Sequence, residues 1–111
     1  LASRPNQALI WGQAGGSVRA DSAGVWWSSM PHQKRLQYAS FVQHQNVIEQ
    51  GWSKRFGDRK NEIVFIGQDM DEGLIRAELN LCLATEEELA RGYWEKGYQD
   101  GWPVQRANTM W

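Results

Sequence analysis

The chain has 111 residues, a length that suits one small domain with a modest core. Its net charge of −1, from 12 basic and 13 acidic residues, disfavours a nucleic-acid partner, because such proteins carry a basic surplus. No apolar run is long enough to cross a bilayer, and no signal peptide opens the chain. A single cysteine excludes a disulfide scaffold, so we predict a soluble, cytoplasmic domain without membrane contact.

The first third of the chain reads as β structure. Residues 7–21 form two short apolar runs that are broken at Gly15 and Gly16, which is a turn signal. Residues 23–31 read as a third strand that ends at Pro31. We therefore expect an antiparallel meander over this part of the chain.

The middle of the chain changes period. Apolar side chains recur at helical spacing and predict a helix from about Leu36 to Gln50, which Gly51 closes. A polar loop follows over residues 53–62. Residues 63–67 are β-branched and aromatic without polar alternation, which predicts a strand buried on both faces.

Two helices follow the buried run, the second of them short. The first has an apolar face, and the second, over residues 85–92, carries a capping box of Thr85 and Glu88. Residues 93–111 have no clear period and read as an irregular, tryptophan-rich tail. The predicted apolar face of the first of these two helices comprises Leu74, Ile75, Leu79, Cys82 and Leu83.

These elements predict an α+β fold. A mainly antiparallel sheet of about four strands would pack with two or three helices, a common layered arrangement for such elements.

The acidic turn at Asp69 and Asp71 is the first candidate for chemistry. A calcium loop of this type needs glycine at its sixth position and glutamate at its twelfth. Counting from Asp69, those positions hold Leu74 and Asn80. The turn is therefore interpreted as a helix cap, since early acidic residues also favour the positive end of the helix dipole.

The sequence contains no residue pattern typical of an enzyme active site or a metal site. We therefore predict no catalytic, cofactor-binding or metal-ligating residue. There is no phosphate-binding loop of the Gly-x-x-x-x-Gly-Lys-Ser/Thr type. His32 and His44 are not closely spaced, and Cys82 is predicted to be a core residue. A small metal-binding protein that uses both histidines and tail carboxylates is kept as a minor alternative.

The 7 tryptophans leave a second function open. Trp26, Trp27 and Trp11 could form a stacking platform in a stand-alone, aromatic-rich binding module for a sugar or peptide. Adjacent strand residues face opposite sides, so we assign Trp27 to the core and leave Trp26 open. Fluorescence quenching by oligosaccharides would favour this alternative.

Several segments, in order, resemble the C-terminal domain of CobW-like proteins, a family of metal-linked GTPases that includes zinc metallochaperones. The resemblance runs roughly from Leu1 to Gly92. Lys60 and Asn61 replace the arginine and glutamine usual in the family. In the tail only Asp100, Trp102 and Pro103 echo the family pattern. The segments that carry the likeness are SRP (3–5), QAGGSVR (13–19), GVWWSSMP (24–31), GDRKNE (57–62), VFIG (64–67), MD (70–71) and CLAT (82–85).

The resemblance implies a non-catalytic regulatory or interaction domain of a GTPase involved in zinc or cobalt delivery or in cobalamin biosynthesis. GTP, magnesium and zinc would then belong to the parent protein and not to this chain. The implied partners are the parent's GTPase domain or a client metalloprotein. Candidate contact residues are Trp26, Asp58 and Arg59, although a loop-stabilising role is favoured for the last two.

The resemblance also bears on the domain boundaries. Residues 1–111 would form a single domain, truncated at its N-terminal end, because the family domain usually begins with an earlier strand and helix. An uncovered sheet edge of this kind would favour self-association.

Overall fold

A β-hairpin forms the first regular structure in the computed structural model, which describes residues 1–106. Strand β1 (Gln7–Ala14) pairs antiparallel with β2 (Ser17–Val25), with a register irregularity between Ala8 and Leu9. The turn is made at Gly15, whose φ of 58° is left-handed and favours glycine. The two strands predicted on either side of the glycine pair are therefore confirmed.

The third predicted strand is wrong beyond the end of β2. After Val25 the chain enters a 3₁₀ turn at Trp27–Ser29 instead of continuing extended. The side chain of Asp58 accepts hydrogen bonds from the backbone N–H groups of Trp27 and Ser28. These hydrogen bonds stabilise the turn relative to a continued strand. Among residues 1–106 the sheet has two strands and not about four, although hairpin and helices together fit an α+β class.

The predicted central helix is present but begins later. A short helix α1 (His32–Arg35) comes first, and α2 (Ala39–Gln50) follows after Tyr38, which is extended and separates the two. Gly51 ends α2 as expected. Phe41 on α2 is fully buried, and with Met30 it forms the buried apolar core of the described chain.

Residues 63–67 contradict the prediction of a buried strand. They have no regular secondary structure, and the exposed fractions of their apolar side chains run from 48% at Phe65 to 94% at Ile66. A strand needs a neighbouring strand to satisfy its backbone groups. Nothing in the described part of the chain pairs with this segment, which explains the difference.

The predicted helix caps downstream are confirmed. Helix α3 (Glu72–Leu81) begins at Asp71, whose side chain accepts the N–H of Leu74 at 3.0 Å. Helix α4 (Glu86–Ala90) starts with the complete capping box of Thr85 and Glu88. The acidic turn therefore acts as a helix cap, as its sequence indicated, although the strand predicted to precede it is absent.

The packing predicted for α3 is only partly observed. Ile75 and Leu79 are half-buried, whereas Leu74 and Leu83 are more than half exposed. Cys82 is exposed and contacts the carbonyl of Glu78, so its assignment to the core is wrong. The reason is that the hydrophobic segment before α3 does not fold back as a strand to cover this face.

The tail is more ordered than its sequence indicated. Helix α5 (Tyr93–Lys96) is followed by residues 97–106, which lie against the opening residues of the chain. Residues 107–111, including Trp111, lie outside the described part. Every helix within residues 1–106 is too short or too polar to span a lipid bilayer.

Arg4 holds the tail in place. Its side chain is 5% exposed, and all five of its N–H donors are used. They reach both carboxylate oxygens of Asp100, the carbonyls of Trp102 and Val104, and the side-chain oxygen of Gln7. We call this arrangement the Arg4 clamp, and it ties the two ends of the described chain together.

Candidate functional site: a junction of three sequence segments

Three segments that are distant in sequence meet at one place beside the hairpin. They are residues 3–5, the turn at 26–29 and the loop at 57–59. We call this place the tryptophan junction. All three candidate contact residues, Trp26, Asp58 and Arg59, lie in it.

Asp58 fixes the turn that follows the hairpin. Its two carboxylate oxygens accept from the backbone N–H groups of Trp27 and Ser28, at 2.8 and 2.9 Å. Hydrogen bonds to a charged acceptor are stronger than neutral ones, and here they satisfy N–H groups at the start of a 3₁₀ turn. Asp58 therefore acts as a distant cap, supplied by a loop 30 residues further along the chain.

Gly57 allows the loop to approach the turn. Its φ is 66°, and an added Cβ would lie 2.2 Å from Cβ of Ser28 and 2.7 Å from its Oγ. Backbone hydrogen bonds to Ser53 in both directions, each 2.8 Å, fix the glycine in that position. This close contact explains why position 57 needs a glycine: any side chain there would collide with Ser28 of the turn.

Arg59 joins the loop to the other two segments. Its Nε donates to the carbonyl of Pro5 at 2.6 Å, and one Nη donates to Oγ of Ser29 at 3.1 Å. The other Nη donates to the carbonyl of Phe56 at 3.1 Å. Burial lowers the pKa of Arg59 from its ordinary value, and the neighbouring Asp58 opposes that shift. The guanidinium therefore serves as a structural bridge.

Trp26 and Trp27 leave the turn in different environments. The ring of Trp27 packs against Phe41 and Tyr38, with centroid distances of 5.2 and 5.7 Å. Trp26 is half-buried, and its backbone N–H donates to the carbonyl of Asn6 at 3.1 Å. The assignment of Trp27 to the core agrees with its ring contacts, whereas the sequence left the environment of Trp26 undecided.

The described ring contact of Trp11 is with the tail and not with Trp26 or Trp27. Its centroid lies 6.0 Å from that of Trp102 in the tail. The three tryptophans considered as a stacking platform therefore have different partners: Trp11 contacts the tail, and Trp27 contacts α2.

Arg35 completes the junction, a role that its sequence context did not predict. Its Nε donates to the carbonyl of Trp27 at 2.7 Å, while its guanidinium lies 4.8 Å from the ring centroid of Trp52. This cation–π contact adds to the hydrogen bond. An arginine in the first turn after Pro31 gives no sequence signal for such a role, because its two partners, Trp27 and Trp52, lie in other segments of the chain.

Metal-binding side chains are not gathered in the described residues. His32 and His44 are exposed, and the ring of His44 contacts the carbonyl of Ser40 on its own helix. No three histidine, cysteine, aspartate or glutamate side chains within residues 1–106 lie close enough to hold a metal ion. Chemically, the junction offers charged side chains that are hydrogen-bonded to the backbone and two half-buried tryptophans, of which Trp27 packs against α2.

Comparison with known proteins agrees with the segments that form the junction. The family model described as the cobalamin synthesis protein cobW C-terminal domain matches residues 1–83. The zinc-regulated GTPase metalloprotein activator 1 of Dictyostelium discoideum is 38% identical over 94 residues, which cover 83% of this chain and 19% of that protein. A zinc chaperone of Mycobacterium tuberculosis is 29% identical over 100 residues, or 90% of this chain and 25% of that protein.

The chain thus spans about a fifth to a quarter of the length of these curated relatives. No solved structure matches the chain.

Proposed function

The chain belongs to the family of cobalamin synthesis protein CobW C-terminal domains, and from this premise we propose that it is a non-catalytic interaction domain of a metal-handling GTPase. It would contact the GTPase domain of its parent protein or a client metalloprotein. GTP, magnesium and zinc would be handled outside this chain, for delivery of zinc or cobalt or for cobalamin biosynthesis. The names of two relatives, a zinc-regulated GTPase metalloprotein activator and a zinc chaperone, support this direction.

The observation that carries the proposal is how the charges of the junction are used. Both carboxylate oxygens of Asp58 accept backbone N–H groups, and the guanidinium of Arg59 donates to Pro5, Ser29 and Phe56. Groups engaged in this way hold a surface in shape, and they are not free to transfer protons or bind phosphate. A positioning role for both residues follows.

Trp26 is the contact residue proposed for that surface. Tryptophan is enriched among residues that dominate binding energy, because its large ring buries much area with few rotatable bonds. Its backbone is fixed from both sides, by the carbonyl of Asn6 and by the N–H of Ser29. A ring on a rigid turn loses little entropy when a partner covers it. Asp58 and Arg59 contribute by keeping that turn in place.

Native mass spectrometry tests whether zinc and GTP bind to this chain or only to other parts of the parent protein. We expect the mass of the chain to stay unchanged after addition of stoichiometric zinc, and likewise after addition of GTP with magnesium. The physical reason is that neither a three-ligand cluster within residues 1–106 nor a phosphate-binding loop is available.

A retained zinc ion would contradict the proposal. Substitution of His44→Ala and of His32→Ala would then show which histidine holds the ion, and the chain would be a direct metal carrier. Retention of GTP would contradict the assignment of nucleotide chemistry to the parent in the same way.

A further inference from the structure

The opening segment of the chain, residues 3–7, lies between the tail and the tryptophan junction. Ser3, Arg4 and Gln7 are polar, yet they are only 5%, 6% and 4% exposed. Buried polar groups need hydrogen-bond partners, and the partners of this segment come from two sides. The segment therefore connects two parts of the molecule that are far apart in sequence.

On one side the segment is held by residues 97–106 of the tail. The backbone N–H of Tyr98 donates to the carbonyl of Ser3 at 3.0 Å, and Nη1 of Arg106 donates to the same carbonyl at 2.9 Å. The Arg4 clamp adds hydrogen bonds to a carboxylate and two carbonyls of the tail. Backbone and side chains of the segment are thus both fixed by the tail.

Gly97 allows this close approach. Its φ is 76°, and an added Cβ would lie 2.6 Å from the carbonyl oxygen of Ser3 and 3.2 Å from Cδ of Pro5. The backbone of the tail therefore touches the backbone of the opening segment at a position where only glycine fits without strain.

On the other side the same segment supplies two acceptors to the junction. The carbonyl of Pro5 accepts from Nε of Arg59 at 2.6 Å, and the carbonyl of Asn6 accepts from the backbone N–H of Trp26 at 3.1 Å. The acceptor that fixes the proposed contact residue is therefore one position or two from the groups that the tail holds.

The next two N–H groups of the turn have a different acceptor. Those of Trp27 and Ser28 donate to the carboxylate of Asp58, which belongs to the loop of the junction. A displacement of residues 3–7 would therefore disturb the hydrogen bond of Trp26 and leave those of its two successors in place.

We propose that residues 97–106 act as a strap with a docked and a released state, and that docking positions Trp26 for its partner. In the docked state the tail fixes the carbonyl that holds the Trp26 backbone. In the released state that acceptor moves, and a partner must then pay the entropy of ordering the ring. The binding role rests on the proposed function of Trp26, whereas the coupling between tail and turn is a property of this chain alone.

Residue-resolved hydrogen exchange of the intact chain, well below its unfolding temperature, tests the coupling without a partner. Gly97→Ala should release the strap, and the amide of Trp26 should then exchange about tenfold faster. The amides of Trp27 and Ser28 should keep their wild-type rates, because their acceptor is unaffected. Gly101→Ala is the matched control in the same tail: its added Cβ meets nothing within 4 Å, so it should exchange like wild type.

Asp100→Asn is a second way to release the strap, since it keeps the size of the side chain and removes the charge that faces Arg4. It should accelerate the Trp26 amide selectively by about threefold or more, and it decides the question if Gly97→Ala does not fold. Equal acceleration of all three amides of the turn would indicate a general loss of stability and would overturn the proposal. Unchanged exchange at Trp26 would overturn it as well.

Calorimetric titration tests the binding role, with the part of the Dictyostelium discoideum relative outside the matched segment as the partner. Gly97→Ala should weaken binding about fivefold. It should add little in the Trp26→Ala background, because both changes act through one ring. Additive effects would contradict the role of the strap in binding. Absence of wild-type binding would contradict the proposed function instead, and hydrogen exchange would still decide whether the strap positions Trp26.

Discussion

Gly57→Ala should destabilise the fold strongly, because position 57 lies where the loop of the tryptophan junction meets the turn. The added Cβ would lie 2.2 Å from Cβ of Ser28 and 3.3 Å from Cζ2 of Trp52, and the backbone φ of 66° is unfavourable for alanine. Left-handed strain and overpacking together predict a loss of about 2–4 kcal/mol in the free energy of unfolding. Urea unfolding followed by tryptophan fluorescence measures it, since Trp27 and Trp52 flank the contact.

Gly16→Ala is the matched control for this change. Gly16 lies in the hairpin turn, its φ is outside the left-handed range, and an added Cβ meets nothing within 4 Å. Its effect should stay within about 0.5 kcal/mol. Equal stabilities for the two variants would mean that the loop and the turn do not approach each other as described.

Arg4→Met should have the second large effect, because it removes the Arg4 clamp. The substitution removes the arginine donors from the 14% exposed carboxylate of Asp100 and from the carbonyls of Trp102 and Val104. Asp100 keeps the weaker contacts from the backbone N–H of Trp102, from Ser3 and from Arg106 at 3.7 Å. Breaking a buried pair from one side costs about 3–5 kcal/mol, since the remaining charge stays desolvated. The measurement is again urea unfolding, and the emission of Trp102 beside Trp11 should report release of the tail.

Acid provides an independent readout of the same clamp. Hydrogen bonds from Arg4, and next from Ser3, hold the pKa of Asp100 well below its ordinary value of 3.8. A carboxylate with a lowered pKa stabilises the fold fully above its unfolded pKa, and that contribution is lost as the pH falls through the folded pKa. Wild-type stability should therefore decline below about pH 4 more steeply than that of Arg4→Met.

Arg76→Met is the control for removing an arginine ion pair. Arg76 and Glu72 are paired one helical turn apart and both are more than 70% exposed, so its loss should cost at most about 0.5 kcal/mol. If Arg4→Met were equally mild, or if its acid profile matched that of wild type, the clamp would not fix the tail.

Local sequence signals predicted the local structure of this chain well. The glycine pair at 15–16 marked the hairpin turn, Gly51 marked the end of α2, and Thr85 with Glu88 marked a capping box. Each of these signals acts over four residues or fewer, so the sequence contains the whole interaction.

The incorrect predictions share a non-local cause. Residues 26–29 have strand-like composition but turn because Asp58, 30 residues further on, caps their N–H groups. Residues 63–67 have strand composition but find no neighbour within residues 1–106. Composition measures the fit to a pleated surface, and it does not show whether a partner strand exists.

The candidate site was predictable in part. The resemblance drew attention to Trp26, Asp58 and Arg59, and the structure places them at one junction. The roles of Arg35 and Arg4 had no local signal, because Arg35 donates to the backbone carbonyl of Trp27 and Arg4 donates mainly to groups of the tail. The tail also packs on residue 4 although the family match ends at residue 83.

Calorimetric titration tests the interaction role most directly. The chain would be titrated into the part of the Dictyostelium discoideum relative that lies outside the matched segment. Trp26→Ala should weaken binding at least about tenfold. Its near-ultraviolet circular dichroism and melting temperature should stay close to those of wild type, because the ring is half-buried and has no described stacking partner within residues 1–106.

Trp11→Ala is the control, since Trp11 is 59% exposed and its described ring contact is with Trp102 in the tail. This variant should bind like wild type. Saturable binding that Trp26→Ala alone weakens is the predicted result. Absence of binding by the wild-type chain, or equal affinity of Trp26→Ala and wild type, would contradict an interaction domain that acts through the tryptophan junction.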